Sequence, residues 1–220
     1  MSQSVAPSER TRVRRVPQRG AYDRPLIDAI LDEALACHVG LVSDAQPFVI
    51  PTIHWRIGDE LYIHGSAASR MIEQGVSGAP LCITVTLIDG VVLARSAFHH
   101  SLNYRSVVIL GRARAVTERD KKLAALSALV ERFSPGRSER VRAPSEQELK
   151  ATTLLSLPIA EASAKVRRGG PIDDEKDLAL PVWAGVIPLR LEALPPLVAE
   201  PEALGEPAPA LGFPFNAARA

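Results

Sequence analysis

Cysteine is nearly absent from this 220-residue chain: Cys37 and Cys82 are the only two. They cannot form a disulfide framework or a C-x-x-C pair, and they read as two reduced, buried thiols. Long apolar runs are missing. Mean hydropathy is +0.05, and no stretch approaches the ~20 apolar residues of a membrane helix. The N-terminal MSQSVAPSERTRVRR is polar and basic. It lacks the ~7–15-residue apolar core of a secretion signal, so a cytoplasmic protein without membrane attachment is expected. An excess of one charge is missing too. Lys+Arg 26 against Asp+Glu 25 gives +1, which argues against nucleic acid as a partner, because that affinity rests on phosphate neutralisation. Finally, the chain contains no G-x-G-x-x-G, G-x-x-x-x-G-K-[ST], H-E-x-x-H or G-x-S-x-G. Dinucleotide-fold, P-loop, zincin and α/β-hydrolase readings fall with them.

What is present suits one globular domain with tails: 46% hydrophobic and 23% charged residues. Residues 1–18 carry Arg10, Arg12, Arg14 and Arg15 and read as a flexible basic arm. From Pro195 onward six prolines fall in 26 residues, which excludes helix and central strand. An extended tail over 195–220 is expected, docked in part through Phe213 and Phe215. The folded unit is then 19–194.

Within it, Asp23-Arg24-Pro25 opens a helix, with Leu26, Ile27, Ile30, Leu31 and Ala34 at helical spacing. Strands are predicted at Val39–Ser43, Phe48–Ile57, Leu61–His64, Leu81–Ile88, Val91–Ser96, Ser106–Val116, Thr152–Lys165 and Pro181–Leu191. Asp89-Gly90 reads as a hairpin turn. Thr117-Glu118-Arg119-Asp120 reads as a capping box before a helix burying Leu123, Leu126, Leu129, Val130 and Phe133. Ser145-Glu146-Gln147-Glu148 caps another. Short strands at this spacing predict an antiparallel barrel with peripheral helices.

Three segments carry candidate chemistry. His64-Gly65-Ser66-Ala67-Ala68-Ser69-Arg70 runs from a strand into a short helix. Free amides, the Ser66 and Ser69 hydroxyls and the Arg70 guanidinium make an anion site there. A Ser-capped surface helix would use the same residues. Tyr104-Arg105-Ser106 at a strand start is placed to rim a pocket. Ile50-Pro51-Thr52 puts a proline inside a strand, which suits a free edge or a ligand lying on the backbone. The histidine pairs Cys37-His38 and His99-His100 face opposite sides of a strand, so no metal site is expected from them.

Taken together, LYIHGSAASRM, PFVIPTIHW and NYRSVVILGRARAV resemble the FMN-binding split-barrel superfamily. Within it, the chain is similar to the flavin-binding group related to pyridoxamine 5'-phosphate oxidase, which includes nitroimidazole reductase-like proteins. The resemblance extends over about residues 19–190. It implies a six-stranded antiparallel split barrel, a homodimer, and one FMN per subunit at the dimer interface. It places Ser69 and Arg70 at the FMN phosphate, and Ile50, Pro51, Thr52 and Ile53 along the isoalloxazine. Ile63, His64, Gly65 and Ser66 fall beside the ring and ribityl chain. Tyr104, Arg105 and Ser106 complete the pocket, and Lys165 and Trp183 reach toward it from late strands.

The implied activity is FMN-dependent oxidoreduction of a small molecule, with an electron donor or acceptor as second partner. Arg105 or Lys165 would stabilise the reduced flavin and His64 would donate a proton. Pyridoxamine phosphate oxidases proper show Thr-Asn where this chain has His64-Gly65, which speaks against vitamin B6 oxidation. Alternatives are a non-catalytic flavin carrier or sensor, a deazaflavin enzyme, and a heme-binding split barrel with His64, His99 or His100 as axial ligand.

Overall fold

The computed structural model describes residues 6–197, 199 and 208–214. In chain order the elements are β1 (Gly20–Ala21), α1 (Arg24–Glu33), β2 (Ala36–Ser43), β3 (Gln46–Ile57), β4 (Glu60–Ser66), α2 (Arg70–Val76) and β5 (Pro80–Leu93). They continue with β6 (Ser101–Arg112), β7 (Arg114–Ala115), α3 (Arg119–Phe133), α4 (Glu146–Ala151), β8 (Thr152–Pro158), β9 (Glu161–Arg167) and β10 (Gly185–Pro188). The strands join antiparallel in the order β1-β9-β6-β5-β2-β3-β4-β8-β7, with β10 on β5.

Mainly antiparallel β structure with a few helices is thus as expected, but the described residues hold ten strands, not six. Two strands pass between the halves of the barrel. β3 pairs β2 over its length up to Ile53 and then β4 from His54 onward. The β6 chain pairs β9, and after Ala113 its continuation β7 pairs β8.

Three local expectations are corrected. Asp89-Gly90 is a bulge within one continuous strand, not a hairpin: the β5–β6 register slips between Ile88 and Gly90. The inserted Asp89 is held by an arginine on β6, and Gly90 is pinned because a Cβ would meet Ile187 O on β10 at 3.0 Å. The span Thr152–Lys165 is two strands, since Pro158 has no amide to continue a ladder. β8 then pairs β4 and β9 pairs β6. No capping box forms at 117–120. α3 starts from Glu118 with no side-chain cap.

The other caps match the sequence. The Asp23 carboxylate accepts from Leu26 N at 3.2 Å, and Ser145 and Glu148 form the reciprocal box. α1 buries Ile27, Ile30 and Leu31 against the barrel interior, among Val39, Leu61, Ile83, Ile109 and Leu155. A second, smaller core of Trp55, Tyr62, Ala125, Leu129 and Leu154 lies between the β3–β4 ribbon and α3.

Both cysteines carry free thiols. Burial pushes the Cys37 thiol up to about 12, while Cys82 is half-buried. In the segment read as a basic arm, Thr11 is buried and Arg10 pairs with Glu161 on β9. In the tail, Phe213 meets Phe133 edge to face at 5.8 Å, and Gly212 N donates to Phe133 O. Phe215 lies outside the described residues. Among the described residues no helix is long and apolar enough to cross a membrane.

Candidate functional site

Directly paired residues of antiparallel strands point to the same face of the sheet. Pro51 pairs His38, His38 pairs Thr84, and Thr84 pairs Val108. Pro51 and Ile53 therefore share the outer face with Tyr104, Ser106 and Lys165, which lie two residues either side in the same registers. Ile50 and Thr52 alternate inward, Ile50 packing against the core. β2 and β5 stand between β3 and β6, so Tyr104 and Ser106 lie three strand spacings from Pro51 and Ile53, about 14 Å along the sheet, and Lys165 on β9 one spacing further. On this chain they are two separate patches of the outer face. Trp183 is 62% exposed and covers Gly185 at the start of β10. Ser106 Oγ donates to Lys165 O at 3.3 Å, which fixes the two strands to each other.

Arg105 does not rim a ligand pocket. It faces inward and is 1% exposed. Its guanidinium is bidentate on Asp89 (2.9 and 2.8 Å) and on Glu33 of α1 (2.5 and 2.8 Å). Both carboxylates raise its pKa against the opposing effect of burial. Its charge is neutralised inside the fold and is not free for a reduced flavin. That leaves Lys165, half-buried on the outer face, of the two cations expected there.

At the end of β4 the residues divide by role. Ile63 is core. Gly65 is needed for packing, because a Cβ there would meet Ile72 at 3.0 Å. Ser66 and Arg70 are exposed and Ser69 half-buried, at the entry to α2. Ser69 is the N-cap but its side chain caps nothing. With only seven residues, α2 is a weak dipole, so anion attraction falls to the Arg70 guanidinium and the hydroxyls. Arg70 stacks over the Phe48 ring at 4.0 Å. Beside it β3 pairs β2 alone, so Pro51 sits where the strand has a free edge.

His64 belongs to a different place. It projects on the face of β4 shared with Tyr62, toward α3. There a cavity of about 600 Å³ opens between α3, α4 and the connecting loop. Leu123, Leu126, Leu129, Val130, Val141 and Leu149 make its wall largely apolar, and Arg142 stands in its lining. The His64 ring meets the edge of Trp55 at 5.7 Å. Burial lowers its pKa, so the imidazole is neutral at neutral pH. Its Nδ1 is buried with no hydrogen-bond partner.

This cavity was not legible in the sequence as a site. The available signal was Trp55, Tyr62 and His64 on one face opposite a Leu/Ala-rich helix, which also describes an ordinary core. His99 and His100 sit instead on an irregular turn, His99 near Asp174 at 3.6 Å and His100 Nδ1 against Ser96 O at 3.0 Å.

His54 is a structural histidine. It is fully buried, with Nε2 on Leu31 O at 3.0 Å, and burial together with nearby Arg132 holds its pKa down at about 4. Between pH 6.5 and about 4 the unfolded chain takes up a proton that the folded one refuses, so stability falls with acidification. The loss by pH 4 is on the order of 3 kcal/mol. Urea unfolding across that range measures it, and a flat profile would contradict it.

The chain belongs to the pyridoxamine 5'-phosphate oxidase family, whose sequence model matches residues 23–166. No curated protein matches it. Among solved structures it is similar to the flavocytochrome Anf3 from Azotobacter vinelandii. Identity there is 44%, over 96% of this chain and 98% of that one, with a TM-score of 0.89. It is also similar to a FAD and heme binding protein from Mycobacterium smegmatis, with 40% identity over 87% and 94% of the two chains and a TM-score of 0.82. A putative 5-nitroimidazole antibiotic resistance protein from Bacteroides thetaiotaomicron shares the fold. It has 22% identity over 67% and 86% of the chains, and a TM-score of 0.57.

Proposed function

We propose that this protein is a flavin- and heme-binding redox protein, with the flavin along the free edge of β3 and the heme in the cavity below α3, ligated by His64. One observation carries the reading. The cavity under α3 combines an apolar wall with a neutral imidazole, which is the lining a flat, mostly apolar macrocycle needs. A volume of about 600 Å³ suits a cofactor of that size. The two relatives at 40% identity or more, described as a flavocytochrome and as a FAD and heme binding protein, support it.

Of the three histidines considered as axial ligands, His64 lines this apolar cavity, while His99 and His100 sit on the turn against Asp174 and Ser96. Trp55 packs against the His64 ring and Leu126 and Leu129 share the lining, while the Arg142 guanidinium is already bidentate on Glu148. When bound, the flavin handles electron pairs and the heme single electrons. The work of the protein is then to hold and insulate the two, and His64 serves as a ligand in place of the proton donor first expected.

The sequence suggests FMN. The M. smegmatis relative is described as binding FAD, and we take the flavin to be FAD. Arg70 is the cation for its phosphates. Charge-assisted contacts of this kind contribute ~1.5–3 kcal/mol, so Arg70→Ala weakens flavin binding roughly 10- to 150-fold. It also erases the preference for phosphorylated flavins over riboflavin. An unchanged preference in the variant would place the phosphates elsewhere.

Since Pro51 and Ile53 stand about 14 Å along the sheet from Ser106, and one strand spacing further from Lys165, a second copy is the simplest way to bring the two patches together as half-sites of one pocket. Light scattering of the flavin-loaded protein gives a dimer mass, and a monomer mass at micromolar concentration would refute this. The reading as a whole is tested by the absorption spectrum and by the mass of the released cofactors. Flavin and heme in comparable amounts are expected. Flavin without heme, after expression with added heme precursor, would return the protein to the simple flavoprotein class.

A further inference from the structure

The character of the iron site follows from two features of the cavity. The first is the count of ligands. Among the described residues its lining contains no methionine, cysteine, tyrosine, lysine or second histidine; His64 is the one of them with a nitrogen that binds iron. Glu148 is engaged: Arg142 donates to both its oxygens at 2.8 Å, and Ser145 N donates at 2.7 Å.

The second feature is the far side of the imidazole. A ligating histidine ordinarily donates its other N–H to a carboxylate or carbonyl, which makes it a stronger ligand. Here Nδ1 is the ring nitrogen that is buried, so the ring reaches the cavity through Nε2. Among the described residues Nδ1 has no acceptor. The aromatic ring packed against it is Trp55, and an indole N–H can only donate. With Nε2 on iron, the Nδ1 proton would have nowhere to go, and the imidazole would stay a weak donor with a labile bond.

Resting on the heme reading, we propose that His64 is the one ligand the described residues of this chain give the iron, weakly bound through Nε2. Loaded with heme, such a site would take small diatomic gases, and His64, held weakly through Nε2, would give up its bond when nitric oxide binds, the lone pair returning to the imidazole with no change in electron count.

The experiment uses the full chain loaded with heme, reduced with dithionite, and given carbon monoxide or a nitric oxide donor. Before gas is added, the ferrous spectrum is that of a high-spin, five-coordinate heme. Resonance Raman spectroscopy then finds the iron–histidine stretch at the low frequency of an imidazole without a hydrogen-bonded N–H. With nitric oxide, electron paramagnetic resonance loses the splitting from the trans imidazole nitrogen, while carbon monoxide leaves His64 attached.

Three results would overturn the proposal. These are a low-spin ferrous heme before gas, a high-frequency stretch, or a nitrosyl that keeps the imidazole splitting; each leaves the heme reading standing. A protein that takes up no heme under any loading condition defeats both, and is recognised by the missing Soret band.

Discussion

Arg105→Ala is expected to cost about 3–5 kcal/mol of stability, the range for removing one partner of a buried ion pair. The arginine side chain is 1% exposed and its two carboxylate partners are 6% and 16% exposed. Truncation leaves Glu33 and Asp89 close together with the shared cation gone. The loss is structural in a specific way. Glu33 comes from the last turn of α1, Asp89 from the bulge in β5, and Arg105 from β6. One guanidinium thus ties the helix that fills the barrel to the irregularity that shapes its longest strand. For a chain of this length each kcal/mol moves Tm by roughly 2–4 °C, so a drop of about 6–20 °C should appear in a thermal scan.

A compensated variant separates charge from packing. Replacing Arg105, Glu33 and Asp89 together by apolar residues of similar volume should recover most of the loss, because buried ion pairs break even or worse against well-packed apolar groups. A single-mutant shift under about 2 °C would show that water reaches the cluster and screens it. Flavin content at low temperature should be unchanged in Arg105→Ala, since the residue faces away from the outer face.

The same cluster shows where the sequence could and could not be read. Alternation identifies β6 as a strand, and it also says that Arg105 shares a face with Val107 and Ile109. An arginine on the buried face is a signal for partners in the core. The partners are 72 and 16 residues away, and no local pattern points to either. Asp89-Gly90 fails for a related reason. The dipeptide is an excellent hairpin turn in isolation, and only pairing with β6 and β10 across both sides of the strand holds it extended.

Helix starts were more legible, because a cap is decided within four residues. Asp23 and Ser145 cap as predicted, while Thr117 is passed over as the helix starts one residue later. The two patches on the outer face were readable as residues but not as places, since register across four strands sets their separation. The cavity at His64 was hidden because α3 and α4 form it from the far side, with leucines that also read as plain core.

His64→Ala should remove the Soret band while the flavin band stays. Among the described residues of the cavity lining no second nitrogen binds iron and Glu148 is held by Arg142, so heme affinity should fall by orders of magnitude. Loss alone would not separate ligation from folding, since Trp55 packs against the His64 ring at 5.7 Å. Added imidazole makes the distinction. The truncation leaves a space of the ligand's own shape, so millimolar imidazole should restore heme binding and a Soret band close to the original.

A structural histidine would give a different result: a lower Tm, no effect of imidazole, and heme retained in whatever folds. A proton donor to a flavin would give a third. Both spectra would then survive, and the half-reaction followed by stopped flow would slow by roughly 10²–10⁴. Imidazole rescue of the Soret band together with an unchanged flavin half-reaction therefore assigns His64 to iron. The reverse pair of results would assign it to proton transfer and leave the cavity under α3 without a heme.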